Sequence, residues 1–409
     1  MREKKFWVNI CLFNLCIVAL LGLGLRTKIL FTIPFVDYRN LLSAHSHFAF
    51  AGWAGLALIT LMVHEFLPIQ LARKKIYACL LIGIQVSAIG MAIAFPFYGY
   101  NPISIFFSTL YIAVTLIFFV VYLRDIINIK KPRIVKLFSL AGLSCLLLSY
   151  LGTLGLIYIL SGNSTNSLLY RDSVYVFLHF QYNGFFTLVL FALFFDHLMK
   201  KGIVPGKNEW AFAVCLCLSV IPSLFLSLLW HNSTLFYVLA AAGSLTILLS
   251  VWFFYKIVIR LKLSELYETK FAGILVTFAA ISFVMKMVLN AGTIIPALGD
   301  AVYGDRPVII GFLHLVFLGL LSFYLLAIFT NQAMFTMKGR LLKQPLILFA
   351  VGIFLNEILL FVQGLIILLN FNSAIFKWLL WGAAIVLFMG SIMMFIARLR
   401  VSAQKRDTI

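Results

Sequence analysis

Charge is what this sequence has least of. Only 11% of its 409 residues are Asp, Glu, Lys or Arg, and the acidic ones number 13. A soluble chain of this length carries about 25% charged residues to cover its surface, so a water-soluble globule is excluded. There are no long polar tracts, no Gly/Ser- or Pro-rich linkers, and no stretch large enough for a soluble domain, which excludes tethered aqueous modules. Cysteine motifs are also missing. Cys11, Cys16, Cys79, Cys145, Cys215 and Cys217 form neither the Cys-x-x-Cys-His pattern of covalent haem attachment nor a zinc spacing. All six fall within apolar runs and read as small buried hydrophobes.

What is present is hydrophobic: 63% of the chain. Apolar runs of about 20 residues, the length that crosses a bilayer, predict twelve spans. They are Trp7–Leu25, Phe48–Pro68, Ile76–Phe97, Pro102–Leu123, Leu137–Leu160 and Val174–Phe195. Then follow Trp210–Trp230, Ser233–Tyr255, Phe271–Leu289, Val308–Phe329, Leu346–Leu369 and Ile375–Ile396. The expected fold is therefore all-α, a single polytopic membrane domain over residues 1–409.

The formal net charge of +19 raises the question of nucleic acid, and the positions of the charges answer it. With the N-terminus inside, the inner segments hold 25 of the 32 Lys and Arg residues. Arg26, Lys28, Arg39, Arg171, Arg306 and Lys377 fall outside, and Lys286 lies within a span. That is the positive-inside bias. The basic balance is orientation, not nucleic-acid binding, and the chain reads as a multi-pass protein of a bacterial inner membrane with both termini cytoplasmic. Arg2, Lys4 and Lys5 before the first span resemble a signal peptide, but no clear small-residue cleavage site follows and the span reads as an anchor.

An internal repeat emerges when spans two, six and ten are superposed. Arg39 precedes His47 by eight residues, Arg171 precedes His179 by eight, and Arg306 precedes His314 by eight. Phe48, Phe180 or Leu315 follows each histidine, an aromatic stands at +3 (Phe50, Tyr182, Phe317), and a glycine at +5 (Gly52, Gly184, Gly319). The histidines are 132 and 135 residues apart, four spans each time. Such a period implies three four-helix units about a pseudo-threefold axis, approximately residues 1–130, 131–260 and 261–409. At about 1.5 Å per residue each histidine lies roughly 12 Å below its arginine, in the outer third of the membrane. His45 and His231 share that depth, whereas His64 and His197 lie near the inner face.

Taken singly, each histidine is a hydrogen-bonded packing residue and each arginine an interfacial anchor. Three ionisable residues at one depth in one repeated context instead mark a ligand site. Neutral imidazole binds haem iron, copper or zinc. Haem fits best, because its apolar disc suits a helix bundle and its propionates need cations near the aqueous edge, which Arg39, Arg171 and Arg306 supply. The +5 glycines either make room for the macrocycle or let helices pack closely.

On these residues the chain resembles the subunit I superfamily of haem–copper oxygen reductases and nitric oxide reductases. The resemblance covers nearly the whole length as architecture and four short segments as motif. It implies that His47 and His314 are axial ligands of a low-spin haem, and that His179 and His231 match copper ligands. It also implies a quinol or cytochrome electron donor and a small gaseous ligand. The departures are as informative. The family's span-seven His-His pair is His231-Asn232 here, and its second span-ten histidine is Phe312. Its span-six tyrosine at +4 is absent, with Tyr182 at +3, and Gln181 and Asn183 stand where a reductase glutamate is expected. The low-spin site looks complete and the reducing site eroded. His45 complicates this, because residues two apart on a helix point about 200° from each other. The repeat favours His47 as the ligand, leaving His45 to an interfacial hydrogen bond or a second metal.

Glu357, beside Asn356 in span eleven, reads equally as a proton-path carboxyl or a hydrogen-bonded helix contact. Lys286 reads as snorkelling, His64-Glu65 and Asp196-His197 as interfacial caps, and Gln85 has no interpretable partner. The rival to a haem protein of electron transfer or O2/NO reduction is a secondary solute transporter, although transporters usually repeat in six-span halves. A haem-modifying enzyme is a third reading, disfavoured by the threefold period.

Overall fold

The computed structural model describes residues 2–331, 340–369 and 373–404. Lys338, Lys405 and Arg406, which belong to the inner charges, lie outside the described residues. Among those residues there is no strand, and twelve helices are long and apolar enough to cross a membrane. We label them α1 (Glu3–Leu30), α2 (Tyr38–Phe66), α3 (Lys75–Tyr98), α4 (Pro102–Ile127), α5 (Arg133–Asn163) and α6 (Ser167–Lys200). The second half comprises α7 (Lys207–Ser227), α8 (Thr234–Leu261), α9 (Lys270–Gly292), α10 (Arg306–Asn331), α11 (Lys343–Ile367) and α12 (Ile375–Arg400). The all-α polytopic membrane architecture expected from the apolar runs is what forms.

Several helices start earlier than hydropathy suggests. α2 begins ten residues before its apolar run, because Tyr38–His47 is polar enough to escape a hydropathy reading yet is well capped. Asp37 accepts hydrogen bonds from the backbone amides of Arg39 (2.7 Å) and Asn40 (3.1 Å), satisfying donors that the first turn leaves free. Those bonds, to Asn40 first and then Arg39, hold the Asp37 carboxyl below its ordinary range. A depressed carboxyl favours the folded state above its unfolded pKa and loses that contribution as pH falls through the folded one. Asn101 and Asn166 cap α4 and α6 in the same way.

Consecutive helices pack on one another in sequence, and α12 returns against α1. That closure is antiparallel: Phe13 meets Phe395 (ring centroids 5.5 Å), and Trp381 donates to Thr27 (3.0 Å). Residues 3 and 400 thus share one face, the terminal face; the opposite one is the distal face. Three helices are set apart by burial. In α2, α6 and α10 the apolar stretch is 83%, 83% and 78% buried, against 50% or less in the others. They meet at an aromatic cluster in which Phe50 lies 4.6 Å from Phe317 and 5.5 Å from Phe186, with Phe186 5.3 Å from Phe317. Every fourth helix is therefore central, as the histidine period suggests.

Each central helix departs from α geometry just after its repeat histidine. π-helical segments occupy Ala49–Gly55, Phe180–Phe186 and Leu315–Ser322. A π turn widens the helix and frees carbonyls from their usual i+4 donors, and a freed carbonyl in an apolar interior must find another partner. All three segments supply one. Asn14 of α1 donates to Gly52 O (2.7 Å), Thr187 to Tyr182 O (2.5 Å), and Ser322 to Phe317 O (2.7 Å). Ser322 in turn accepts from Trp53 Nε1 (3.1 Å), which ties α2 to α10. Gln85 also gains a partner here: its amide exchanges hydrogen bonds with Asn14 at 2.6 and 3.0 Å.

The +5 glycines resolve in favour of packing. A Cβ on Gly184 would lie 2.3 Å from Cys145 Cβ on α5, and one on Gly319 would lie 2.7 Å from Ser282 Oγ on α9. On Gly52 it would meet the Phe48 ring of the same helix at 2.8 Å. None opens a slot for a flat macrocycle. Gly184→Ala is expected to lower thermal stability by about 1–3 kcal/mol, the usual cost of overpacking; an unchanged melting midpoint would show that α5 and α6 separate freely.

At the terminal face, Glu65 pairs with Lys4 and with Lys200 (2.5 Å), and Asp196 pairs with Lys131 (2.6 Å) and Lys200 (2.7 Å). His197 stacks on Tyr267 at 4.7 Å. The acidic residues at the ends of α2 and α6 therefore form a shared charge network rather than separate caps.

Candidate functional site

Five of the histidines, His45, His47, His179, His231 and His314, lie in the distal half. His45, on the first turns of α2, faces α1: its Nδ1–H donates to Val18 O (3.1 Å), and a Cβ on Gly22 would stand 3.1 Å from its Cε1. His47 faces α3, with its ring 4.5 Å from Phe95 and 6.0 Å from Tyr100, and its Nδ1–H donates to Ser43 O (2.8 Å). His314 on α10 donates from Nδ1 to Ile310 O (2.8 Å). A carbonyl can only accept, so in all three the proton sits on Nδ1. The Nε2 lone pair is left free, and no hydrogen bond reaches it among the described residues. That is the tautomer and orientation of a metal-ligating histidine, whose other nitrogen is normally fixed by a backbone or carboxylate acceptor.

Of these, His45 and His314 lie within electrostatic reach of one another, and both of Arg26 at the distal end of α1. The repeat pointed to His47 as the partner of His314. The structure instead turns His47 toward α3 and His45 toward α1, the helix that borders α2 on the way round to α12 and α11. Residues two apart on a helix point about 200° from each other, which is why the two rings meet different neighbours.

The cations are redistributed likewise. Arg39, Arg171 and Arg306, the arginines of the repeat, are all exposed. Arg171 lies over the Trp230 ring at 5.1 Å. Half-buried Arg26, which has no place in the repeat, is the arginine within electrostatic range of His45 and His314. Sequence periodicity had no means of finding it; its signal was only that it is the fourth arginine of the distal face.

The residues expected to hold copper do not assemble. His179 is fully buried and both ring nitrogens are engaged: Nε2–H donates to Val220 O (2.7 Å) and Nδ1 accepts from Asn183 (3.1 Å). His231 is not in α7, which ends at Ser227, but on a short turn beyond it, with its Nε2 3.0 Å from both oxygens of Asp172. Asn232 follows at φ +49°, a left-handed position that asparagine tolerates. Among the described residues no three His, Cys, Asp or Glu side chains gather as a metal site. The donor set there does not fit copper.

Beside Phe312 the structure has a cavity of about 210 Å³ among α6, α7, α9, α10 and α11. Tyr175, Tyr182, Phe312, Phe361, Asn290 and Glu357 are among its lining residues. Phe312 packs against Tyr182 at 5.4 Å. Glu357 takes a hydrogen bond from Asn356 (3.2 Å) and faces this space.

Lys286 does not snorkel. It is wholly buried, and its Nζ donates to Thr187 Oγ1 (2.8 Å) and Tyr182 O (3.3 Å) on the π segment of α6. No family model matches this chain, and no curated protein matches it in sequence.

Proposed function

We propose that the chain is a membrane haem protein with one low-spin haem between α2 and α10, its iron held by His45 and His314. The observation that carries this reading is the pair itself: two partly buried imidazoles from different central helices, each pinned through Nδ1 with Nε2 free, within reach of each other and of one arginine. Support also comes from the three buried helices spaced four apart and the π segment after each repeat histidine. We read these as a threefold arrangement like that of subunit I in haem–copper reductases.

In this reading a bound haem supplies one-electron transfer. Val18 O and Ile310 O fix the two imidazoles in one tautomer and raise their basicity as ligands. Gly22 leaves space beside the His45 ring on α1. Arg26 would supply the cation for the propionates of a bound haem. The engaged ring of His179 and the Phe312 side chain argue for electron transfer without a copper-bound reducing centre. In this reading quinol or a cytochrome is the donor class, and the basic connections on the terminal face support an orientation with both termini in the cytoplasm of a bacterial inner membrane.

A reduced-minus-oxidised spectrum of the purified chain, with iron analysis, tests the proposal. A sharp α-band and one iron per chain are expected. A colourless, iron-free preparation that accumulates solute in vesicles would favour the transporter reading.

A further inference from the structure

Arg73, Lys74 and Lys75 stand in succession where α3 begins, and Arg124 stands one turn before the end of α4. Both helix ends belong to the terminal face. Between them lies a second cavity, of about 470 Å³, whose lining includes Lys74, Ile76, Val120, Arg124, Asp125 and Asn128. Small-molecule sites commonly measure about 300–1,000 Å³. Deeper in the bundle the two helices are in close contact, since a Cβ on Gly83 of α3 would lie 2.9 Å from Val114 Cγ2 of α4.

The acid that lines this cavity is already engaged. Asp125 is buried, Lys74 Nζ donates to both its oxygens (2.8 and 3.0 Å), and the Tyr77 hydroxyl donates to Oδ2 (2.9 Å). Arg124 is different. It is exposed, and its guanidinium makes no hydrogen bond or ion pair among the described residues. Its five N–H donors are left to an acceptor from outside the chain, and their fork matches the oxygens of a phosphate. Lys74 also keeps an N–H beyond the two it gives to Asp125.

We propose that this cavity seats the headgroup of an anionic phospholipid, its phosphodiester oxygens accepting from Arg124 and Lys74. Basic pockets between spanning helices suit such headgroups. The apolar walls choose a lipid over a free phosphate ion. Ile76 and Val120 line the cavity and are exposed, and Ile117, one turn further along α4, is exposed too. Acyl chains cannot run between α3 and α4 past Gly83, so they lie along this outer surface of α4. Charge chooses an anionic headgroup over a choline one. A quaternary ammonium needs an anion or an aromatic face, whereas Asp125 is taken and Tyr77 is buried. The site stands with or without iron between α2 and α10.

Native mass spectrometry of the full-length protein in detergent, titrated with dioleoyl-phosphatidylglycerol or dioleoyl-phosphatidylcholine, tests this. We expect the first phosphatidylglycerol to bind at least tenfold more tightly than phosphatidylcholine, and a tenfold excess of inorganic phosphate to leave it bound. Arg124→Gln should abolish that preference. Lys270→Gln, which removes an exposed lysine at the start of α9 on the same face, should keep it. The lipid comparison and the phosphate competition use the unaltered protein, so they decide the matter even if a variant fails to fold. Equal affinity for the two lipids, or a preference that survives in Arg124→Gln, overturns the proposal. Loss of the preference in Lys270→Gln as well overturns it in favour of diffuse attraction to a basic face. Displacement by phosphate overturns it in favour of a simple anion site.

Discussion

Replacing His314 by alanine is expected to reduce bound haem by more than about tenfold, and His45→Ala to do the same, whereas His47→Ala keeps it. Loss of groups that merely orient a ligand costs 10–100-fold in metal affinity, and these substitutions remove the ligand itself. The contrast between His45 and His47 is the sharp part. Both donate from Nδ1 to a backbone carbonyl and both leave Nε2 free. Only His45 looks toward α1 and the side where His314 and Arg26 stand; His47 lies against Phe95. Haem per polypeptide, measured as the pyridine haemochrome, distinguishes them. If His47→Ala loses haem while His45→Ala retains it, the repeat register names the α2 ligand and His45 is only a contact to α1.

The second large effect concerns Lys286. Its partners are a hydroxyl and a backbone oxygen, with no carboxylate at ion-pair distance among the described residues. Taking an amine out of water without a counter-ion is costly, and even a buried ion pair is often replaced by apolar side chains of similar volume with no loss of stability. The freed carbonyl it touches, Tyr182 O, keeps the Thr187 hydroxyl at 2.5 Å. Lys286→Met should therefore raise the thermal midpoint in detergent, even though it alters a residue at the centre of the molecule. Thr187→Val, which removes the closer donor, should lower it. A destabilised Lys286→Met protein would mean that the lysine, not the threonine, holds the π segment of α6.

The fold was largely legible because a bilayer imposes its own length and polarity on each helix. Twelve apolar runs became twelve helices, and the histidine period of four spans picked out the three helices that are most buried. What the sequence hid was local. Hydropathy stopped short of the polar first turns of α2, so the capped helical start at Tyr38 that carries His45 and His47 had no apolar signal. The π segments leave no compositional mark, yet they explain why Asn14, Thr187 and Ser322 sit where they do. Of the +5 glycines, Gly184 and Gly319 serve close helix contact and Gly52 makes room for the Phe48 ring of its own helix. Pairings between distant segments were also invisible: nothing in one dimension joins Asn14 to Gln85, Lys286 to Thr187, or Arg26 to His314.

Whether imidazoles from α2 and α10 share one iron decides the haem reading as a whole. Low-temperature EPR of the oxidised, purified protein reads this directly, since two axial imidazoles give a low-spin ferric signal. That signal is expected in the wild type and in His47→Ala, and is expected to disappear in His45→Ala and His314→Ala. A wild-type protein without a low-spin ferric signal, or a signal that survives in His314→Ala, would contradict a shared iron.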